Sequence, residues 1–224
     1  MTQFPDRTPK TTRNTRSRGA ALGLMALLSA PVMLSSVALT TPAYAQSAAI
    51  TPINELYAAL GQIQASSSGS AEARAQIVGP VIDRSFDLST VLHNSIGMRY
   101  TTLSSDEQSR LLAAFRQFTI ARYVSSFKKG SGAKFTVNPS TRPAPTGGST
   151  IVSTTIGDGS DPATAINYVM MPSGGGYRIV DILLNGHISQ VAAQRADFSS
   201  TLARGGVDAL VTLLNRKTAN FMNK

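Results

Sequence analysis

His93 and His187 are the only histidines in this chain, cysteine is absent, and together these limit the chemistry open to it. Neither histidine has a second histidine or a glutamate at the spacing that puts two ligands on one helix face, so the pattern does not describe a metal site. Without cysteine there can be no disulfide, no thiolate nucleophile and no zinc–thiolate cluster. A Ser-His-Asp site can be drawn from any chain this rich in serine, but no Gly-x-Ser-x-Gly elbow is present to hold a nucleophile.

Two loops imitate ligand-binding motifs. Ser173-Gly174-Gly175-Gly176 lacks the Lys-Ser/Thr ending of a phosphate loop and falls between two apolar runs, so it reads as a hairpin turn. Asp158-Gly-Ser-Asp161 lacks the twelve-residue spacing and closing Glu of a calcium loop, and also reads as a turn. Catalytic and metal residues are therefore expected to be none, and no cofactor is expected.

The elements that carry the remaining side chains are organised around Tyr177 to Phe198. Tyr-Arg-Ile-Val-Asp-Ile-Leu-Leu is a strand, Asn-Gly-His a turn, and the run from Ile188 through Arg195 to Phe198 opens a helix. Alternation places Val180, Ile182 and Leu184 on one face and Ile179, Asp181 and Leu183 on the other, which suits a strand covered on both sides.

At the other end, Arg7, Lys10, Arg13, Arg16 and Arg18 precede an apolar run from Ala20 to Leu39, and Ala43 and Ala45 have the spacing read by a signal peptidase. Residues 1–45 are expected to be a signal peptide cleaved after Ala45, leaving one domain, 46–224. Ser29, Pro31, Ser35 and Ser36 interrupt the run and argue against a membrane anchor, and no Cys follows the site to make a lipoprotein. Five of the 21 Lys and Arg and one of the 12 Asp and Glu belong to this leader, so the remainder carries 16 basic against 11 acidic residues, or +5. The formal +9 of the whole chain thus overstates any case for nucleic acid, which is not expected as a partner.

From Gln46 to Ile50 a mobile terminus is expected. Thr51 is then read as the cap of a helix with Ile53, Leu56, Tyr57, Leu60 and Ile63 at helical spacing. A second helical stretch carries Ile77, Val78, Val81 and Ile82, and Gly79-Pro80 should kink or divide it. Asp87 is the expected N-cap of a short helix ended by Gly97. Ser104 and Glu107 form a capping box before the longest expected helix, which should be the main partner of the sheet and ends near Lys128, Lys129 and Gly130.

Strands follow at Lys134 to Asn138, Thr150 to Ile156, Ala165 to Met171 and Tyr177 to Leu184, joined by Pro- and Gly-rich connectors that suit antiparallel hairpins. A helix from about Ile188 to Arg204, a break at Gly205-Gly206 and a last helix from Val207 to about Phe221 complete the chain. Helices first and a strand meander second make an α+β fold, with helices packed on one face of a curved antiparallel sheet of about four strands.

If alternation holds, Val152, Ile156, Tyr168, Met170, Val180, Ile182 and Leu184 share the concave face of that sheet, and Leu92, Tyr100, Phe115, Phe118 and Tyr123 cover it. From the residues alone this set fits an ordinary closed core as well as a cavity.

Asp181, Gly186, Ser189, Arg195 and Phe198 resemble the Asp, Gly-x-Ser and Arg-x-x-Phe pattern near the end of the MlaC or toluene-tolerance family. The likeness extends to Phe86-Asp87-Leu88, Gly97, Tyr100, the helix around Phe115, and Gly206 through Leu214. The resemblance implies a periplasmic lipid carrier on an NTF2-like or cystatin-like sandwich, with the apolar set above lining a lipid cavity. The implied partners are a phospholipid, an inner-membrane ABC transporter complex and an outer-membrane lipoprotein complex, with the carrier itself a monomer.

Such a cavity suits the task. Two acyl chains of roughly sixteen carbons, at about 0.8 kcal/mol per buried CH₂, resist leaving a bilayer by on the order of 20 kcal/mol. Met170 and Met171 would tolerate chains of differing shape, and Lys128, Lys129, Lys134 and Arg142 could steer the carrier to an anionic surface. Arg195 is expected to pair with Asp181 across the strand-to-helix corner. Three other readings stay open: a hopanoid carrier of the HpnM branch, a small-molecule enzyme on a similar fold with Asp181 near a Tyr, and an interaction-only adaptor with a filled core.

Overall fold

The computed structural model describes residues 42–145, 147–159 and 162–223. The expected leader up to residue 41 and the Ser160–Asp161 end of the calcium-like loop lie outside the described residues. Five helices, α1 (Pro42–Gln64), α2 (Ala71–Ser85), α3 (Leu88–Ile96), α4 (Ser105–Ser126) and α5 (Gln190–Met222), pack with a five-stranded antiparallel sheet. The strands, β1 (Lys134–Pro143), β2 (Thr150–Gly157), β3 (Thr164–Ser173), β4 (Gly176–Leu184) and β5 (Ile188–Ser189), lie side by side in chain order.

The fifth strand was not expected. Asn185 and Gly186 both adopt positive φ, 51° and 79°, and His187 N donates to Leu184 O at 3.2 Å. That three-residue turn folds Ile188 and Ser189 back onto Leu184 and Leu183 before the helix can begin. β1 also outruns its expected end at Asn138, because an irregularity between Val137 and Thr141 absorbs Pro139, which has no N–H to offer a ladder.

α1 begins ahead of the expected cap at Thr51 and carries Pro52 inside it. Residues 46–50, expected to be mobile, are helical, and Ala49 is fully buried. The small residues here are good helix formers. The expected cleavage point after Ala45 therefore falls in the first turn of α1. In α2, Pro80 does not divide the helix. Ser70 caps it by accepting from Ala73 N, and Arg84 Nη1 donates to the Pro80 carbonyl at 3.1 Å. Asp87 caps α3, accepting from the backbone N and the hydroxyl of Thr90, and Gly97 ends α3 at a φ of 78°. A 3₁₀ segment, Gly97–Thr102, leads to the Ser104–Glu107 capping box, which is present in full.

The arrangement of layers departs from expectation at α4. α1, not α4, lies across the sheet, where Tyr57 stacks on Phe135 and its hydroxyl hydrogen-bonds Thr154 Oγ1 at 2.6 Å. α4 packs most extensively against α5 and then α2. Arg116 on α4 forms a two-pronged ion pair with Asp83 on α2, both distances 2.7 Å. α1, at 23 residues, is also slightly longer than α4, at 22. α4 thus stands off the sheet, and large side chains bridge the interval.

α5 is interrupted where the Gly pair predicts: Gly205 and Gly206 leave helical geometry, and Gly206 has a φ of 66°. Before the break, Phe198 is almost fully buried and meets Phe115 and Phe118 edge-on. After it, Val207, Leu210 and Leu214 turn inward.

Candidate functional site

Cross-strand pairing decides which side chains face the helices. Val152 pairs with Tyr168, Tyr168 with Ile182, and Ile166 with Thr154 and Leu184. Paired residues share a face, so these form one inward surface. The alternation breaks on β4, where Val169 pairs with Asp181 but Met170 pairs with Ile179. Val180 is the extra residue of this bulge, and Ile179 takes the inward place expected for Val180. Accordingly Ile179 joins the main apolar cluster, whereas Val180, though buried, does not. The shift of one residue swaps the two faces.

Between this surface, the C-terminal half of α4 and the start of α5 lies a partly open cavity of about 190 Å³. Tyr123, Phe127, Ile156, Ile166, Tyr168, Ile182 and Leu184 supply its apolar wall, and Arg122, Ser126 and Gln190 its polar groups. A narrower extension of about 20 Å³ shares Arg122, Ile182 and Gln190 with it and runs past Phe86, Leu88, Val91, Phe115 and Asp181.

Of the residues expected to line a cavity, Tyr123, Ile156, Tyr168, Ile182 and Leu184 do so, and Phe115 lines the extension. Leu92, Tyr100, Phe118, Val152 and Met170 are packed instead into the closed part of the core, with Leu92, Val152 and Met170 fully buried. Met171 turns to solvent. Sequence reasoning missed Arg122, Ser126, Phe127, Ile166 and Gln190. Arg122 had a readable signal: it lies four residues after Phe118 and seven after Phe115, on the apolar stripe of α4.

The hydroxyls of Tyr57 and Tyr123 lie beside that of Tyr168, and burial raises the pKa of all three phenols. Burial pulls Arg122 the other way, below the usual guanidinium range. An arginine nevertheless stays protonated. Its guanidinium carbon lies 5.9 Å from the Phe118 ring centre, a cation–π contact. Lys128 and Lys129, both exposed, follow α4 just beyond the rim residues Ser126 and Phe127.

Asp181 borders the extension but its carboxylate is taken. Oδ1 accepts from Ile182 N at 2.7 Å and Val191 N at 3.1 Å, and Oδ2 accepts from Ser189 Oγ at 2.6 Å. Arg195 does not pair with it. The guanidinium of Arg195 donates twice to the Asn94 carbonyl, at 2.9 and 2.6 Å, and so holds the end of α3 against α5. The expected ion pair fails because the turn and β5 give Asp181 nearer donors at the start of α5. Among the described residues no group of three or more His, Asp and Glu could hold a metal ion. No described helix is long and apolar enough to cross a membrane.

The profile described as MlaC protein matches residues 51–216, well over half of the chain. No protein with a curated description matches. Among solved structures, a phospholipid-binding protein from Ralstonia solanacearum, in complex with a phospholipid, aligns with a TM-score of 0.65. The two are 19% identical, and the alignment covers 79% of this chain and 98% of that one.

Proposed function

Since this chain belongs to the MlaC protein family, we propose that it is an exported lipid carrier whose cavity between α4, α5 and the concave face of the sheet sequesters phospholipid acyl chains. The observation that carries this reading is the cavity itself, with an apolar wall from four different elements and a partly open side. It is a binding protein rather than an enzyme: Asp181, the one carboxylate placed beside the cavity as a candidate base, spends both oxygens on the β4–α5 corner.

The cavity, about 190 Å³, is below the ~300–1,000 Å³ usual for sites that take drug-sized ligands. A diacyl lipid therefore requires α4 and the sheet to part. The side chains that bridge them, Tyr123, Phe127 and Tyr168, can separate without breaking any backbone ladder, because α4 pairs with no strand. In this reading the leader 1–45 sends one domain, 46–224, to the periplasm. There it works as a monomer between an inner-membrane ABC transporter complex and an outer-membrane lipoprotein complex, with the basic residues near the rim favouring anionic surfaces.

Native mass spectrometry of the protein purified without detergent from cells that export it, with extraction and identification of bound lipid, tests the reading. Co-purified phospholipid is the expected result, and a hopanoid would assign the protein to the HpnM branch instead. A bare polypeptide mass, together with no uptake of lipid from vesicles, would overturn the carrier reading.

A further inference from the structure

Arg122 is a cation set into the wall of an apolar cavity without an anion. It lines both the main cavity and its extension. The four ion pairs among the described residues join Arg84 to Glu55, Arg110 to Asp208, Arg116 to Asp83 and Lys217 to Asp197, and none involves Arg122. Asp181, the carboxylate that shares the extension with it, is saturated by donors from β4, β5 and α5.

A polar group beside it is buried and unsatisfied. Gln190 Oε1 is buried without a hydrogen-bond partner among the described residues, and Gln190 lines the same two spaces. Buried polar groups are ordinarily paired, and a buried charge almost always is. A buried, orphaned amide oxygen beside a half-buried guanidinium that has no anion marks, on one cavity wall, the place where a ligand supplies what the protein lacks.

We propose that Arg122, assisted by Gln190, is an anchor inside the cavity for the acid group of an acyl lipid, a carboxylate or a phosphate, so that the ligand is held by its charge as well as by its chain. This rests on the lipid-carrier reading and narrows its ligand class to anionic lipids. The planar guanidinium offers paired donors that match two oxygens of one acid group, and the Gln190 amide can accept from a ligand hydroxyl. Ser126, exposed, is the last residue of α4, and Arg122, half-buried, precedes it by four residues, about 6 Å along the helix axis. The acid group is thus drawn behind the rim and not left wholly in water.

The test titrates matched pairs of ligands into the delipidated protein: oleate against oleyl alcohol, and dioleoyl phosphatidate against dioleoylglycerol. In at least one pair the acidic member is expected to bind on the order of ten- to a hundredfold more tightly, the range for a hydrogen bond to a charged group. The pair that shows this tells a fatty acid carboxylate from a phospholipid phosphate. Arg122→Gln is expected to erase the preference by weakening only the acidic member, and Arg122→Lys to keep part of it. Equal binding of acidic and uncharged members by the unsubstituted protein overturns the anchor while leaving the carrier reading intact, as does a preference that survives in a folded Arg122→Gln. Failure of all four lipids to bind overturns the carrier reading and the anchor with it.

Discussion

Ser189 Oγ donates to Asp181 Oδ2 at 2.6 Å while accepting from Ala192 N at 3.0 Å, so one hydroxyl both caps α5 and ties it to β4. The other carboxylate oxygen of Asp181 takes Val191 N, the next free donor of the same helix start. Asp181→Ala leaves these donors without acceptors in a half-buried corner and is expected to cost about 2 kcal/mol. Ser189→Ala is expected to cost about 1 kcal/mol, as loss of an N-cap does. Because the two residues act together, the double variant should cost less than the sum. Urea unfolding of the three variants measures this, and strict additivity would show that the corner is not one unit.

Arg195 makes a different connection. Its two hydrogen bonds to the Asn94 carbonyl stitch the end of α3 to α5, and its side chain lines neither the cavity nor the extension. Arg195 is exposed, so Arg195→Ala is expected to lower stability by only about 1 kcal/mol. Lipid retention should be unchanged. An unaltered melting temperature with lost lipid would contradict this assignment and give Arg195 a part in binding.

How much of this was legible in the sequence depends on what each feature rests upon. Asp87, the Ser104–Glu107 box and the Gly205-Gly206 break are local devices, complete within a few residues, and each acts where the sequence places it. The inward face of the sheet rests on cross-strand register, and there a single extra residue exchanged Ile179 for Val180. The partner of Arg195 rests on a turn whose two positive-φ residues could be read, but whose effect, a short fifth strand that moves Asp181 against α5, is tertiary. Helical periodicity likewise shows that α4 has an apolar stripe, not which layer the stripe meets. Standing off the sheet, α4 leaves the open space that Tyr123, Ile156, Tyr168, Ile182 and Leu184 line, while most of the rest of the expected set packs into closed core.

Tyr123 and Tyr168, which line that space, and Tyr57, whose hydroxyl lies beside that of Tyr168, make stability depend on alkaline pH. Burial raises the pKa of Tyr57, Tyr123 and Tyr168 in the folded chain, while in the unfolded chain a tyrosine ionises near pH ~10. A raised folded pKa contributes stability that is fully present below the unfolded value and is lost as pH rises through the folded one. Unfolding free energy is therefore expected to fall steadily above pH ~10. The phenolate absorbance of Tyr123→Phe and Tyr168→Phe should match that of the unsubstituted protein until the chain unfolds. A smooth early loss of signal in either variant would mean that its phenol titrates in the folded state.

The division between closed core and open wall predicts opposite results for two leucines. Leu92 is fully buried in the closed part, so Leu92→Ala removes packed atoms that nothing replaces and is expected to cost about 2–5 kcal/mol. Leu184 lines the cavity of about 190 Å³, and Leu184→Trp sends its extra atoms into that space, avoiding most of the ~1–3 kcal/mol that overpacking costs in a filled core. The protein should then stay folded, with a melting temperature close to that of the parent, and should retain less lipid when extracted and weighed by mass spectrometry. Leu92→Ala should do the reverse, melting early while the fraction still folded keeps its lipid. Destabilisation by Leu184→Trp as large as that of Leu92→Ala would show that no usable space lies between α4 and the sheet, and would remove the observation on which the carrier reading stands.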